Sequence, residues 1–146
     1  GSGLMRKILA ALLMFVATAA WAQWMKVDET QHQVVKVAEN KYWNFYVDRP
    51  TIVRESQFRI VSEIWDMKET PRQLFHPDTR SMRATIAYDC ERAFFRGRKM
   101  TAYSGQMGTG QILREAEEKR DPDDKDWLDA MMSMPGASVV RLVCLN

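Results

Sequence analysis

From Lys41 onward, short runs that alternate apolar and polar residues follow one another between turn signals, while helical periodicity is scarce. That pattern predicts an antiparallel β domain. "KYWNFYVD" (Lys41–Asp48) is dense in aromatics and stops at Asp48-Arg49-Pro50, where proline has no N–H for the ladder. "FRIVSEIWDM" puts Phe58, Ile60 and Ile64 on one face and Val61, Trp65 and Met67 on the other. Both faces carry apolar weight, which predicts a central strand. "SMRATIAYDC" sends Met82, Ala84, Ile86, Tyr88 and Cys90 toward a core and leaves Ser81, Arg83, Thr85, Ala87 and Asp89 on the reverse. "ERAFFRGRKMTAYSG" predicts the next strand and "TGQILREA" (Thr109–Ala116) another after a glycine turn. "QLFHPDTRS" and the proline-broken charged run "EEKRDPDDKD" read as exposed loops.

The C-terminal "PGASVVRLVCLN" is open between two forms. Its β-branched residues favour a strand, whereas Pro135, Gly136 and Ser138 form a helix start. In the helical form Val140, Val143 and Cys144 share a stripe.

The N-terminal pattern differs in kind. "MRKILAALLMFVATAAWAQ" sets Arg6 and Lys7 before an apolar run, Ile8 to Ala20, that ends in Ala20-Trp21-Ala22. This predicts a secretory signal peptide over residues 5–22, cleaved after Ala22; the run is about two thirds of the roughly 20 residues a bilayer-spanning helix needs. Residues 1–4 read as non-native or a translation scar, and 23–146 as one domain. Removing Arg6 and Lys7 from 21 basic residues leaves a number equal to the 19 acidic ones, so the formal +2 falls to zero. A neutral chain offers no global attraction to nucleic acid or anionic membrane, though a local basic patch stays open.

Two cysteines in an oxidising compartment allow one intramolecular pair, Cys90 with Cys144. The loop it closes is long, worth about 4 kcal/mol in the chain-entropy model. A structural zinc site needs four ligands at close spacing, which two distant cysteines and two distant histidines do not supply.

Candidate chemistry is thin. The only histidines are His32, in a polar run, and His76, between Phe75 and Pro77, and neither sits in a nucleophile–base motif. "GQMGTG" lacks the lysine-serine or lysine-threonine pair of a phosphate loop and reads as a glycine turn. "DPDDKD" lacks the glycine and glutamate of a calcium loop. The best lead is "RAFFRGR". If extended, it puts Arg92, Phe94, Arg96 and Arg98 on one face, with Arg83 of the preceding strand extending the patch. Guanidiniums around an aromatic ring suit acidic protein or sulfated-polysaccharide surfaces. Alternatively the arginines form cross-strand pairs with Glu63, Asp89 or Glu91.

Ser81, Tyr88-Asp89-Cys90, Arg96, "YSGQMGTG" (Tyr103–Gly110), Trp127, Pro135-Gly136, Ser138 and Cys144, in that order, resemble the surface-adhesin protein E-like domains of proteobacteria. "DMKETP" (Asp66–Pro71) looks like the segment leaving that family's central strand, and the likeness runs from about Trp24 to Cys144. The resemblance implies an α+β, mainly β fold: about six antiparallel strands and a C-terminal helix tied on by the disulfide. It moves the expectation for Pro135–Leu145 from strand to helix. The residues together read as an exported binding protein without a cofactor, whose partner is a protein or polysaccharide; the resemblance implies a host matrix protein as such a partner. The family's founding adhesin is a lipoprotein, whereas "AWAQ" offers no cysteine to lipidate, so a periplasmic or secreted protein is expected. The alternative is a periplasmic accessory or inhibitor protein acting on an envelope partner. A hydrolase would need Ser81, His76 and an acid within mutual reach. One helix on a single sheet leaves apolar surface, "YWNFY" (Tyr42–Tyr46) included, that pairing into a homodimer would cover.

Overall fold

The computed structural model describes residues 33–69, 75–119 and 122–145. The expected signal peptide and His32 lie outside the described residues. The chain divides into two units, Gly1–Gln33 and Val34–Asn146, and the second carries all the elements below. Three long antiparallel strands form its centre: β4 (Phe58–Met67), β5 (Ser81–Asp89) and β6 (Phe94–Tyr103).

Each flank of that centre is shared by two shorter strands. β2 (Trp43–Asp48) pairs with the second half of β4, and β3 (Val53–Glu55) with Phe58–Ile60 at its start. β7 (Ile112–Glu117) pairs with β6 from Lys99 to Tyr103, and β8 (Leu128–Asp129) with Phe94 and Phe95. β1 (Val34–Glu39) adds to β2, so the main path runs β1-β2-β4-β5-β6-β7. The sheet therefore has eight strands where about six are expected; β3 and β8, three and two residues long, are too short to show alternation.

A single helix, α1 (Gly136–Cys144), covers one face. The expected strand-to-helix change holds, and the register shows why the segment folds this way. Val139 and Val143, one helical turn apart, pack on Val47, Val61, Ala84, Ile86 and Tyr88, with Ala130 beside them. The buried pair is thus Val139 with Val143, and Val140 and Cys144 flank it half-buried. Cys144 is bonded to Cys90, with Cα atoms 5.4 Å apart, and this pins the helix end to the end of β5.

The alternation along β4 and β5 is as expected: Val61 lies opposite Ile86, and Trp65 opposite Met82, on the helix face. Ile60 and Ile64 point to the other, open face. The aromatics of β2 are used within the chain. Phe45 is buried with its ring 5.3 Å from that of Trp65, and Trp43 meets Trp65 edge-on at 6.2 Å.

Candidate binding face

The turn that opens the candidate face is built by Asp89. Its buried carboxylate accepts the Glu91 and Arg92 backbone N–H groups and the Arg92 Nε–H at 2.8 Å. Ala93 takes φ 56°, closing the turn into β6. Arg92 therefore belongs to the turn and not to the strand. Its guanidinium lies 5.1 Å from the Phe94 ring and 5.6 Å from the Trp127 ring.

Trp127 comes from the far side of the charged loop. A 3₁₀ turn, Asp124–Asp126, holds it in place through a capping box in which the Asp123 and Asp126 side chains each accept the other's backbone N–H. The "DPDDKD" run, which lacks the glycine and glutamate of a calcium loop, thus spends Asp123 and Asp126 on caps. Among the described residues no group of three or more His, Cys, Asp or Glu is placed to hold a metal. Trp127 lies over the open face, 5.6 Å from the Phe58 ring and 5.3 Å from the Arg96 guanidinium.

Arg96 forms an ion pair with Glu118 at the end of β7, with both side chains mostly covered. Asp89, Arg92, Arg96 and Glu118 thus form two neutral pairs around one indole. What the arrangement leaves charged is Arg98. It sits at a bulge: Gly97 pairs with Ile86 and Lys99 with Thr85, so Arg98 is the extra residue. Its backbone carbonyl accepts the Glu118 N–H, while its side chain is exposed and makes no ion pair with a described residue. Strict alternation from Arg92 to Arg98, which the sequence suggests, therefore fails at both ends. The turn removes Arg92 and the bulge displaces Arg98.

Arg92 and Arg96 do converge on Trp127, and Phe94 joins them through the Arg92 guanidinium. Arg98 borders the same open hollow of about 260 Å³, lined by Glu55, Phe58, Ile60, Ala87 and Trp127 among others. Arg83 does not join them. It shares the open face but lies four residues along β5 from Ala87, the partner of Arg96, roughly 13 Å at the rise of a strand. Its guanidinium crosses Gly108 and approaches Asp48 at 3.9 Å. Gly108 has φ +70°, and a Cβ there would stand 2.6 Å from Arg83 Nε, so this crossing needs glycine on both counts. Trp127 is the residue that reasoning about the face missed. Its only signal was its place among the residues of the family resemblance.

The other candidate groups are committed to the fold. The Ser81 hydroxyl donates to Gly105 O at 2.5 Å and accepts the Gly108 N–H at 2.8 Å. Asp66 accepts the Met107 N–H at 2.7 Å, so β4 and β5 together clamp the glycine turn. His76 Nδ1 accepts the Asp78 N–H at 3.2 Å. The hydrolase arrangement of Ser81 and His76 is not formed, because the serine has both its bonds inside the 105–108 turn.

The fold is that of solved structures of protein E from Haemophilus influenzae. Its selenomethionine form matches with TM-score 0.55 at 16% identity over 78% of this chain and 87% of that one. A second crystal form gives 0.52 at 16% identity, covering 77% and 97%. Protein E from a non-typeable strain gives 0.55 at 16%, covering 78% and 76%. No curated protein matches the chain. The family model for surface-adhesin protein E matches residues 24–145, nearly all of the sequence. The chain belongs to the surface-adhesin protein E family.

Proposed function

We propose that this chain is an exported, non-enzymatic, adhesin-like protein that engages an anionic partner through the Trp127 side of its open sheet face. The observation that carries this reading is the convergence of Arg92 and Arg96 on the Trp127 ring beside the exposed Arg98. The two ion-paired arginines hold the indole in place. Arg98 supplies the charge, and a flat guanidinium matches carboxylate or sulfate groups. No helix among the described residues is long and apolar enough to cross a membrane. Family membership and the signal-like residues 5–22 support export, and the lack of a cysteine after Ala22 supports a non-lipidated form.

The test is capture on immobilised heparin and on an acidic matrix protein, comparing wild type with Arg98→Glu and Trp127→Ala. Arg98→Glu leaves both internal ion pairs in place, so it changes the surface and not the fold. Several-fold weaker capture by each variant is expected; capture equal to wild type by Arg98→Glu overturns the reading.

A further inference from the structure

On the opposite, helix-covered face a second hollow of about 170 Å³ opens between the sheet and the Ser133–Gly136 segment. Its walls include Trp65, Tyr88, Phe95, Met100 and Met134, and its lining is almost wholly apolar. A cavity of about 150 Å³ holds a benzene ring, so this one takes a group of that size. Its floor contains Gly97. A Cβ on Gly97 would meet no atom within 4 Å, and its φ is outside the left-handed region, so neither crowding nor backbone geometry requires glycine there. Glycine inside a strand marks a bulge or a close approach by another group, and Gly97 has both features, lying next to the Arg98 bulge and under open space.

Directly behind two of the walls lies Glu63, with no exposed surface. It accepts hydrogen bonds from Trp65 Nε1 at 3.1 Å and from the Tyr88 hydroxyl. Both donors are neutral, and the residues opposite Glu63 on β2 and β5 are Val47 and Ala84. No ion pair with a described residue supplies its counter-charge. A carboxylate so placed lowers the potential of the whole site and makes the two rings that donate to it better cation acceptors. These features select one ligand class. A neutral alkyl group would not use Glu63, and a primary ammonium needs several hydrogen-bond acceptors, whereas the only hydroxyl side chains of this apolar lining are Ser133 and Tyr88, the latter already bonded to Glu63. A quaternary ammonium needs none, presents methyl groups to apolar walls, and carries its charge onto aromatic faces.

We infer that the pocket over Gly97 binds a trimethylammonium group between Trp65, Tyr88 and Phe95, with the buried Glu63 as its counter-charge. The site is on the other face from Trp127 and does not depend on the function proposed for that side. The same chemistry occurs on free choline-type solutes and on phosphatidylcholine headgroups.

The test is calorimetric titration at pH 8 with choline and with 3,3-dimethylbutan-1-ol, its uncharged isostere. Wild type is expected to bind choline about tenfold more tightly than the isostere. Gly97→Leu, which fills the pocket, should abolish choline binding, and Glu63→Gln should reduce choline to the level of the isostere. Phe95→Leu is the second variant; it removes one ring and should weaken choline while sparing the isostere. Circular dichroism verifies that each variant is folded. Equal affinity for the two probes, binding of neither, or choline binding that survives in folded Gly97→Leu overturns the inference. Co-sedimentation with phosphatidylcholine vesicles, against phosphatidylglycerol vesicles, separates the sources. Pelleting with the former assigns a lipid headgroup, and choline binding without pelleting assigns a free solute; both support the site.

Discussion

Glu63 carries an electrostatic cost that shows in pH dependence. Burial pushes its carboxyl from the usual 4.5 up to about 7, against the opposing hydrogen bonds from Tyr88 and Trp65. The groups facing it from β2, β4 and β5 are Val47, Trp65, Ala84 and Tyr88, and α1 contributes Val139 and Val143 to that core. None is charged. The folded pKa is raised, so the folded chain binds more protons than the unfolded one between about pH 4.5 and 7. The stability that Glu63 contributes is therefore fully present below 4.5, declines as pH rises, and is smaller by about 3 kcal/mol above 7. Thermal melts at pH 5 and pH 8 should show this decline in wild type and a flatter profile in Glu63→Gln, whose neutral side chain keeps the same partners. An unchanged slope in the variant refutes the assignment. Burying a glutamate at a strand centre was not legible in "FRIVSEIWDM": alternation sets Glu63 beside Val61 and Trp65, but both faces carry apolar weight, and only the position of the helix shows that this face is closed over the carboxylate. Asp89, Ser81 and Asp66 are a different case. The sequence marked the first two as family residues, and only their bonds to the turns after β5 and β6 show that they shape backbone.

At the scale of elements, α1 shows propensity losing to tertiary contact. Val139, Val140 and Val143 favour a strand, yet the sheet face offers an apolar bed and the disulfide fixes the end of the segment. The helix stacks Val139 and Val143 about 6 Å apart along its axis on one buried stripe, where a strand would spread the same pair over about 13 Å. Cys90 and Cys144 are 54 residues apart, so removing the bond by Cys144→Ser should cost about 4 kcal/mol. Chemical denaturation of that variant, in the paired form with Cys90→Ser to avoid a lone thiol, measures it. A loss under 1 kcal/mol would show that valine packing alone holds the helix. β6 gives the complementary lesson. Its alternation was readable from Lys99 to Tyr103, but the bulge at Arg98 was not, because one inserted residue changes no composition. The face built on Arg92 to Arg98 was accordingly only partly legible: Phe94 and Arg96 keep their places, while Arg92 meets Trp127 from a turn and Arg98 borders the hollow from a bulge. β1 escaped for a similar reason, since a register shift between Lys36 and Ala38 breaks its pattern.

For the molecule as a whole, charge and export belong together. The formal charge of residues 23–146 is zero once Arg6 and Lys7 are set aside, so any electrostatic recognition depends on local placement such as that of Arg98. We expect expression in a bacterial host to yield an envelope-fraction protein beginning at Gln23, which intact-mass measurement checks; a chain retaining Arg6 and Lys7 would count against the signal peptide. The antiparallel β class, the sidedness of β4 and β5 and the pairing of two cysteines were determined by the sequence itself, because period-two alternation and covalent chemistry act locally or leave one choice. The tertiary structure alone decided that Trp127 crosses the open face to stack on Arg92 and Arg96, that Arg83 turns away to Asp48, and that Glu63 lies unexposed behind the pocket over Gly97. Those placements join residues far apart in the chain, and no local pattern encodes the distance between them.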